Sequence, residues 1–153
     1  MPDLGAVGTS VTIGSITFSL AAGGDSLAVG TLGTPAAPDW YPDLPGNDIA
    51  LGYENLQLQF ATPVYSFGFE FVEPNATMPA FGGNPGDSTF EIVLYRGAAE
   101  VGRMTFNAND DEVGFVGVWS RALFDRVTIV DLSGNDDDEY FGRFYAGTSP
   151  PPF

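Results

Sequence analysis

Two short acidic segments hold the residues of this sequence that are best suited to bind a metal ion. They are residues 135–139 (NDDDE) and residues 107–112 (NANDDE). Such a density of carboxylates is costly without a counterion. Calcium takes roughly six to eight oxygen ligands from carboxylates, amides and backbone carbonyls, which both segments offer. The sequence therefore predicts a structural calcium ion, and its candidate ligands are Asn135, Asp136, Asp138, Glu139, Asp110 and Glu112.

Neither acidic segment matches the calcium loop of an EF-hand, because the glycine and the terminal glutamate do not fall at the required spacings. A solvated acidic turn is the alternative for both segments, since a run of charge is usually part of the surface.

Aromatic residues outside the regular apolar patterns are the second group of candidates. Trp40 and Tyr41 lie in a proline-rich stretch, residues 34–48, while Tyr53 and Trp119 lie near the ends of predicted strands. Such rings would stack against the C–H faces of sugar rings, so these four are the predicted ligand-binding residues. The alternative is that the stretch folds over the end of a sheet and buries its rings, as most aromatic side chains are buried.

Two glutamates form the third group. Glu70 and Glu91 each lie opposite the apolar face of a predicted strand. A glycosidase needs at least a pair of carboxyl groups about 5–10 Å apart. Arg103 and Arg126 are placed to meet these acids across neighbouring strands. Ordinary surface ion pairs are therefore favoured over catalysis.

The residue types that are missing exclude several other functions. The chain has no His, Cys or Lys, which removes the Ser-His-Asp and Cys-His nucleophile systems, the common zinc sites, the Schiff base and the P-loop. The formal net charge of −15 makes binding to nucleic acid or to anionic membranes unfavourable. No apolar run approaches the roughly 18 residues of a membrane-spanning helix, so membrane insertion is not expected.

The elements that must position these candidates are β-strands. The 20 glycines and 12 prolines interrupt helices throughout the chain, and at most one helical turn fits, at residues 120–124. Short alternating apolar runs bounded by turn residues predict an all-β fold, an antiparallel β-sandwich of about ten short strands. The predicted strands are residues 11–20, 26–29, 49–51, 56–60, 64–72, 89–95, 100–106, 113–119, 126–132 and 140–145.

The pattern within residues 64–72 assigns the core face. Side chains alternate between the two faces of a strand, so one face carries only large rings and is predicted to be buried. These rings are Tyr65, Phe67, Phe69 and Phe71. We expect one domain over residues 1–147, followed by a proline-rich linker or tail over residues 148–153.

Three segments carry a resemblance to a known group of proteins: residues 63–74 (PVYSFGFEFVEP), 115–120 (FVGVWS) and 138–147 (DEYFGRFYAG). Together they resemble the β-sandwich domains of secreted bacterial proteins, many of which end in a PEP-CTERM-type sorting signal. The resemblance covers about residues 45–147. It implies export and a jelly-roll-like sandwich, and similar jelly rolls are often carbohydrate-binding modules with a structural calcium ion.

The leading hypothesis is a non-catalytic, extracellular module that binds polysaccharide and holds calcium. One alternative is a matrix or filament subunit that associates with itself through sheet edges or calcium bridges. The other is a glycoside hydrolase that uses Glu70 and Glu91.

Overall fold

The computed structural model describes residues 5–21, 27–30, 44, 48–51, 55–73, 87–110, 112–133 and 139–152. In these residues the chain forms ten strands and no helix, and all pairs of strands are antiparallel. The described residues therefore contain no helix that is long and apolar enough to cross a membrane. The strands are β1 (Gly5–Gly8), β2 (Ser10–Ile13), β3 (Ile16–Leu20), β4 (Leu27–Gly30), β5 (Asp48–Leu51), β6 (Asn55–Val72), β7 (Phe90–Arg96), β8 (Ala99–Phe106), β9 (Gly114–Asp131) and β10 (Tyr140–Gly147). The predicted all-β antiparallel class is confirmed.

Two long strands, β6 and β9, run through both layers of a β-sandwich. The first layer has the order β1-β4-β5-β10-β6-β9 and uses the second half of β6 with the first half of β9. The second layer has the order β2-β3-β6-β9-β7-β8 and uses the other halves. The register between the two strands shifts on β6 between Gln59 and Ser66. Such irregularities bend and twist a strand, which lets it pass from one layer to the other.

Phenylalanine rings fill the space between the layers. Phe71 of β6 lies 5.1 Å from Phe90 of β7 and 5.5 Å from Phe106 of β8, measured between ring centroids. Phe18 of β3 lies 4.7 Å from Phe144 of β10. Burial of each large apolar side chain contributes about 1.5–3 kcal/mol, and the ring pairs add to that. The predicted phenylalanine core is confirmed.

The prediction that Tyr65 lies in the core is wrong. The register shift between Val64 and Ser66 gives the inward position to Val64, which is 3% exposed. Tyr65 is only partly buried, and it lines a cavity together with Trp119. The alternation along residues 64–72 is interrupted at this point, and sequence periodicity alone assumes that it continues.

The predicted strand boundaries are wrong at three places. Residues 11–20 form the hairpin β2–β3, because Gly14 adopts a φ of 61° that a glycine accepts without strain. The predicted strands at residues 56–60 and 64–72 are parts of one strand, β6. Those predicted at residues 113–119 and 126–132 are parts of one strand, β9. The single helical turn that the sequence allowed at residues 120–124 does not form: these residues belong to β9, and Phe124 is buried against Phe60 and Phe67, at 6.0 Å from each ring.

Candidate functional site

The outer surface of the layer β10-β6-β9 carries exposed aromatic side chains. Phe115 and Trp119 on β9 are 62% and 54% exposed, and Tyr145 on β10 is 47% exposed. We call these three residues the aromatic face. The register brings them together, because Gly68 of β6 pairs with Gly117 on one side and with Tyr145 on the other.

Glycines make the floor of this face. A Cβ atom on Gly68 would lie 2.6 Å from Cζ of Phe115, and one on Gly117 would lie 3.0 Å from Cε1 of the same ring. The Phe115 ring therefore lies across two residues that have no side chain. Its centroid is 5.8 Å from that of Tyr145 in an edge-to-face arrangement. Between these two rings and Trp119 lies an open hollow of about 460 Å³.

An ion pair flanks the aromatic face. Glu70 of β6 pairs with Phe115 of β9 in the sheet, and its carboxylate accepts hydrogen bonds from both Nε, at 3.0 Å, and Nη2 of Arg143. Hydrogen bonding to Glu70 raises the pKa of Arg143, so the guanidinium stays charged at any physiological pH. The Arg143 side chain is half exposed. Two donations to Glu70 leave the guanidinium with further N–H groups that can donate hydrogen bonds.

Glu70 and Glu91 do not form the pair of acids that glycosidase chemistry needs. Each alternates along its strand with a phenylalanine, Phe71 or Phe90, that is buried between the layers, so the two carboxylates point to opposite outer surfaces of the sandwich. They also lie on different layers. Glu91 binds Arg103 at 2.6 Å, which matches the surface ion pair expected from the sequence.

The sequence suggested that Arg126 would meet one of the two glutamates, but it binds neither. Its guanidinium lies 4.0 Å from the centre of the Tyr95 ring.

Comparison with known proteins adds information on the fold. No protein-family model matches the sequence, and no curated protein matches it. Among solved structures, a family 61 carbohydrate-binding module in complex with β-1,4-galactotriose aligns with a TM-score of 0.51 at 12% identity, over 88% of this chain and 88% of that chain. The chain is similar in fold to carbohydrate-binding modules.

Two further similar structures have lower scores. A mutant of a family 29 carbohydrate-binding module has a TM-score of 0.46 at 14% identity, over 83% of this chain and 96% of that chain. The enzymatically active domain of tailspike protein 4 from bacteriophage CBA120 has a TM-score of 0.48 at 14% identity, over 90% of this chain and 20% of that chain.

The predicted ligand-binding residues divide into two groups. Trp119 lies on the aromatic face, in the middle of β9 and not near a strand end. Trp40, Tyr41 and Tyr53 lie outside the described residues, so their role stays a prediction.

Sequence reasoning missed Phe115 and Tyr145 as surface residues. Alternation on β9 puts Phe115 on the same side as Trp119 and opposite Val118, and this signal could have revealed Phe115. Nothing comparable was available for Tyr145, because β10 has a register irregularity between Phe141 and Phe144.

One predicted calcium ligand, Asp110, lies in a cluster of carboxylates. Its side chain and those of Glu73 and Asp87 offer oxygen atoms that all lie within 4.8 Å of one another. Glu73 is fully buried, and its Oε1 accepts a hydrogen bond from the backbone N–H of Ser88 at 2.5 Å. Asp87 accepts one from Nδ2 of Asn107. Three carboxylates at this distance form a set that a hard cation such as calcium fits.

The other predicted calcium ligands lie elsewhere or outside the described residues. Glu112 is exposed and accepts a hydrogen bond from Asn109 at 2.9 Å. Glu139 is fully buried just before β10. Asn135, Asp136 and Asp138 are outside the described part of the chain, so the 135–139 segment stays a prediction. Sequence reasoning missed Glu73 and Asp87, which only the fold brings beside Asp110.

Proposed function

We propose that this chain is a non-catalytic module that binds a polysaccharide on its aromatic face. The observation that carries the proposal is the exposure of Phe115, Trp119 and Tyr145 on one open sheet surface. Contiguous exposed apolar surface usually marks a binding site. Sugar rings present C–H faces that stack on such rings and hydroxyls that accept hydrogen bonds from a group such as Arg143. The similarity in fold to carbohydrate-binding modules supports this proposal.

Nucleic acid bases also stack on exposed aromatic rings, but their backbone requires cations. The net charge of −15 would repel it, and Glu70 already neutralises the charge of Arg143. The same electrostatics leave uncharged sugars unaffected.

A Tyr145→Ala variant tests the proposal. We expect the native chain to be retarded in affinity gels by at least one soluble polysaccharide of a broad panel, and the variant to bind that polysaccharide about tenfold more weakly. Leu132→Ala is the matched control, because Leu132 is a similarly exposed apolar residue outside the aromatic face. Retardation by no member of the panel would refute the function. Equal losses in both variants would refute the site.

The non-catalytic part of the proposal has its own measurement. Incubation with the bound polysaccharide is expected to release no new reducing ends, because Glu70 is held by Arg143 and points to the opposite outer surface from Glu91. Release that disappears in Glu70→Gln would establish a hydrolase instead.

We include a calcium ion at Glu73, Asp87 and Asp110 in the proposed function. Support comes from the three carboxylates, whose oxygens lie within 4.8 Å of one another and which form the oxygen-rich set that calcium binds. The ion would hold residue 110 to the end of β6, where Glu73 and Asp110 already form an isolated backbone bridge.

Calcium is therefore expected to raise the melting temperature. A ligand that binds only the folded state at about a hundred times its dissociation constant adds about 2.7 kcal/mol, which corresponds to about 5–10 °C for a chain of this size. Calorimetry with calcium and with a chelator measures the shift. Asp87→Asn should abolish it, whereas Glu112→Gln should keep it, because Glu112 is not part of the cluster. A chelator that leaves the native melting temperature unchanged would refute the calcium site.

Secretion from a bacterial cell is also part of this proposal, and it is supported by the resemblance to secreted β-sandwich domains. Recovery of the protein in the producing cells and not in the culture medium would contradict it.

Self-association stays a prediction, and sedimentation velocity with added calcium measures it.

A further inference from the structure

A second hollow adjoins the aromatic face. It has a volume of about 270 Å³ and is lined by Tyr65, Ser66, Trp119 and the residues 149–152. Ser66 and Trp119 also line the first hollow, whereas Phe115 and Tyr145 line the first and do not line the second. Trp119 therefore stands between two adjoining spaces on the same surface.

The C-terminal segment reaches this position because of the way β10 ends. Gly147, the last residue of β10, pairs with Ser66, and Ser66 pairs with Trp119 on its other side. Prolines 150–152 cannot donate backbone hydrogen bonds to continue the ladder, so the chain leaves the sheet at this end. Their fixed φ angles make a stiff apolar wall that loses little entropy when a ligand packs against it.

We propose that the two hollows are consecutive subsites of one groove, which takes an extended, neutral polysaccharide chain. This inference rests on the proposed function. Phe115 and Trp119 are four residues apart on β9, about 13 Å at the usual strand rise, so the first hollow is longer than a single sugar ring. The wall at residues 149–152 extends the groove beyond Trp119.

The lining of the groove selects for ligands without charge. In the part of the chain that the structure describes, both hollows are lined by aromatic, aliphatic, glycine, serine and proline residues only. The nearby Glu70 and Arg143 neutralise each other. The net charge of −15 would repel acidic sugars.

A length series of oligosaccharides tests the groove. The probes are β-1,4-linked galactose, glucose and mannose oligosaccharides, from the disaccharide to the hexasaccharide, measured by titration calorimetry. We expect affinity to rise with length in the native chain. A triple variant, Pro150→Ser, Pro151→Ser and Pro152→Ser, should bind the hexasaccharide about tenfold more weakly, with less than about a twofold change for the trisaccharide. Tyr65→Ala, which alters only the second hollow, should show the same selective loss.

The possible results separate this inference from the proposed function. If Tyr145→Ala weakens binding but the proline and Tyr65 variants bind the hexasaccharide like the native chain, the second subsite is refuted and the aromatic face stands. Equal affinity of the native chain for the trisaccharide and the hexasaccharide also refutes it. If no member of the series and no polysaccharide binds the native chain, the proposed function fails and the groove fails with it.

Discussion

Replacement of Phe71 by alanine is expected to destabilise the protein by about 3–5 kcal/mol, the range typical for removal of a buried phenylalanine ring. Phe71 is fully buried, and its ring centroid lies 5.1 Å from Phe90 and from Phe141 and 6.1 Å from Phe69. It therefore joins the two layers. Because domains are stable by only about 5–15 kcal/mol, the variant should lose a large share of its free energy of unfolding.

Urea denaturation followed by tryptophan fluorescence measures this loss. Phe115→Ala is the matched control, since it removes the same side chain from a position that is mostly in water. We expect the control to lose less than about 1 kcal/mol. Equal losses in the two variants would contradict the inward and outward assignment of β6 and β9.

Replacement of Trp119 by alanine is expected to have the largest effect on binding, about a hundredfold loss of affinity for the hexasaccharide. Trp119 lines both hollows, so its removal takes a stacking surface from each subsite at once. A few aromatic residues commonly carry about 2 kcal/mol or more each at a binding surface, and every 1.4 kcal/mol is about tenfold. Melting temperature should change little, because more than half of the side chain is exposed.

Titration calorimetry with Trp119→Ala, Trp119→Phe and Leu132→Ala tests this expectation. The phenylalanine variant keeps a ring and should lose less affinity than the alanine variant, while Leu132→Ala should match the native chain. Native affinity in Trp119→Ala, together with loss of binding in Trp40→Ala, would move the site to the proline-rich segment at residues 34–48.

The glycines beneath the aromatic face explain why its rings are available. A side chain at Gly68 or Gly117 would push Phe115 off the sheet, because a Cβ atom there would lie only 2.6 Å or 3.0 Å from the Phe115 ring. Phe115 lies flat because nothing stands beneath it, and its outer surface is left to water or to a ligand. The two glycines thus leave room on the sheet for the Phe115 ring.

Local periodicity was sufficient to predict the class of the fold and most of its core. The alternation of Phe67, Phe69 and Phe71 with Ser66 and Gly68 needs only the two-residue repeat of a strand, and all three rings are buried as expected. Periodicity could not reveal that β6 and β9 are continuous strands. That continuity depends on Phe124 meeting Phe60 and Phe67, which are about 60 residues away along the chain.

The candidate sites were less accessible to sequence reasoning, because a pattern assigns a residue to a face but does not say what lies beside it. Trp119 and Asp110 could be singled out by residue type and composition. Only the strand register places Tyr145 beside Phe115, and only the tertiary fold brings Glu73 and Asp87 to Asp110. The sequence by itself determined two layers of antiparallel strands around a phenylalanine core. The tertiary structure decided which rings remain in water, since exposure depends on long-range pairing between β6, β9 and β10 and not on any local property of the chain.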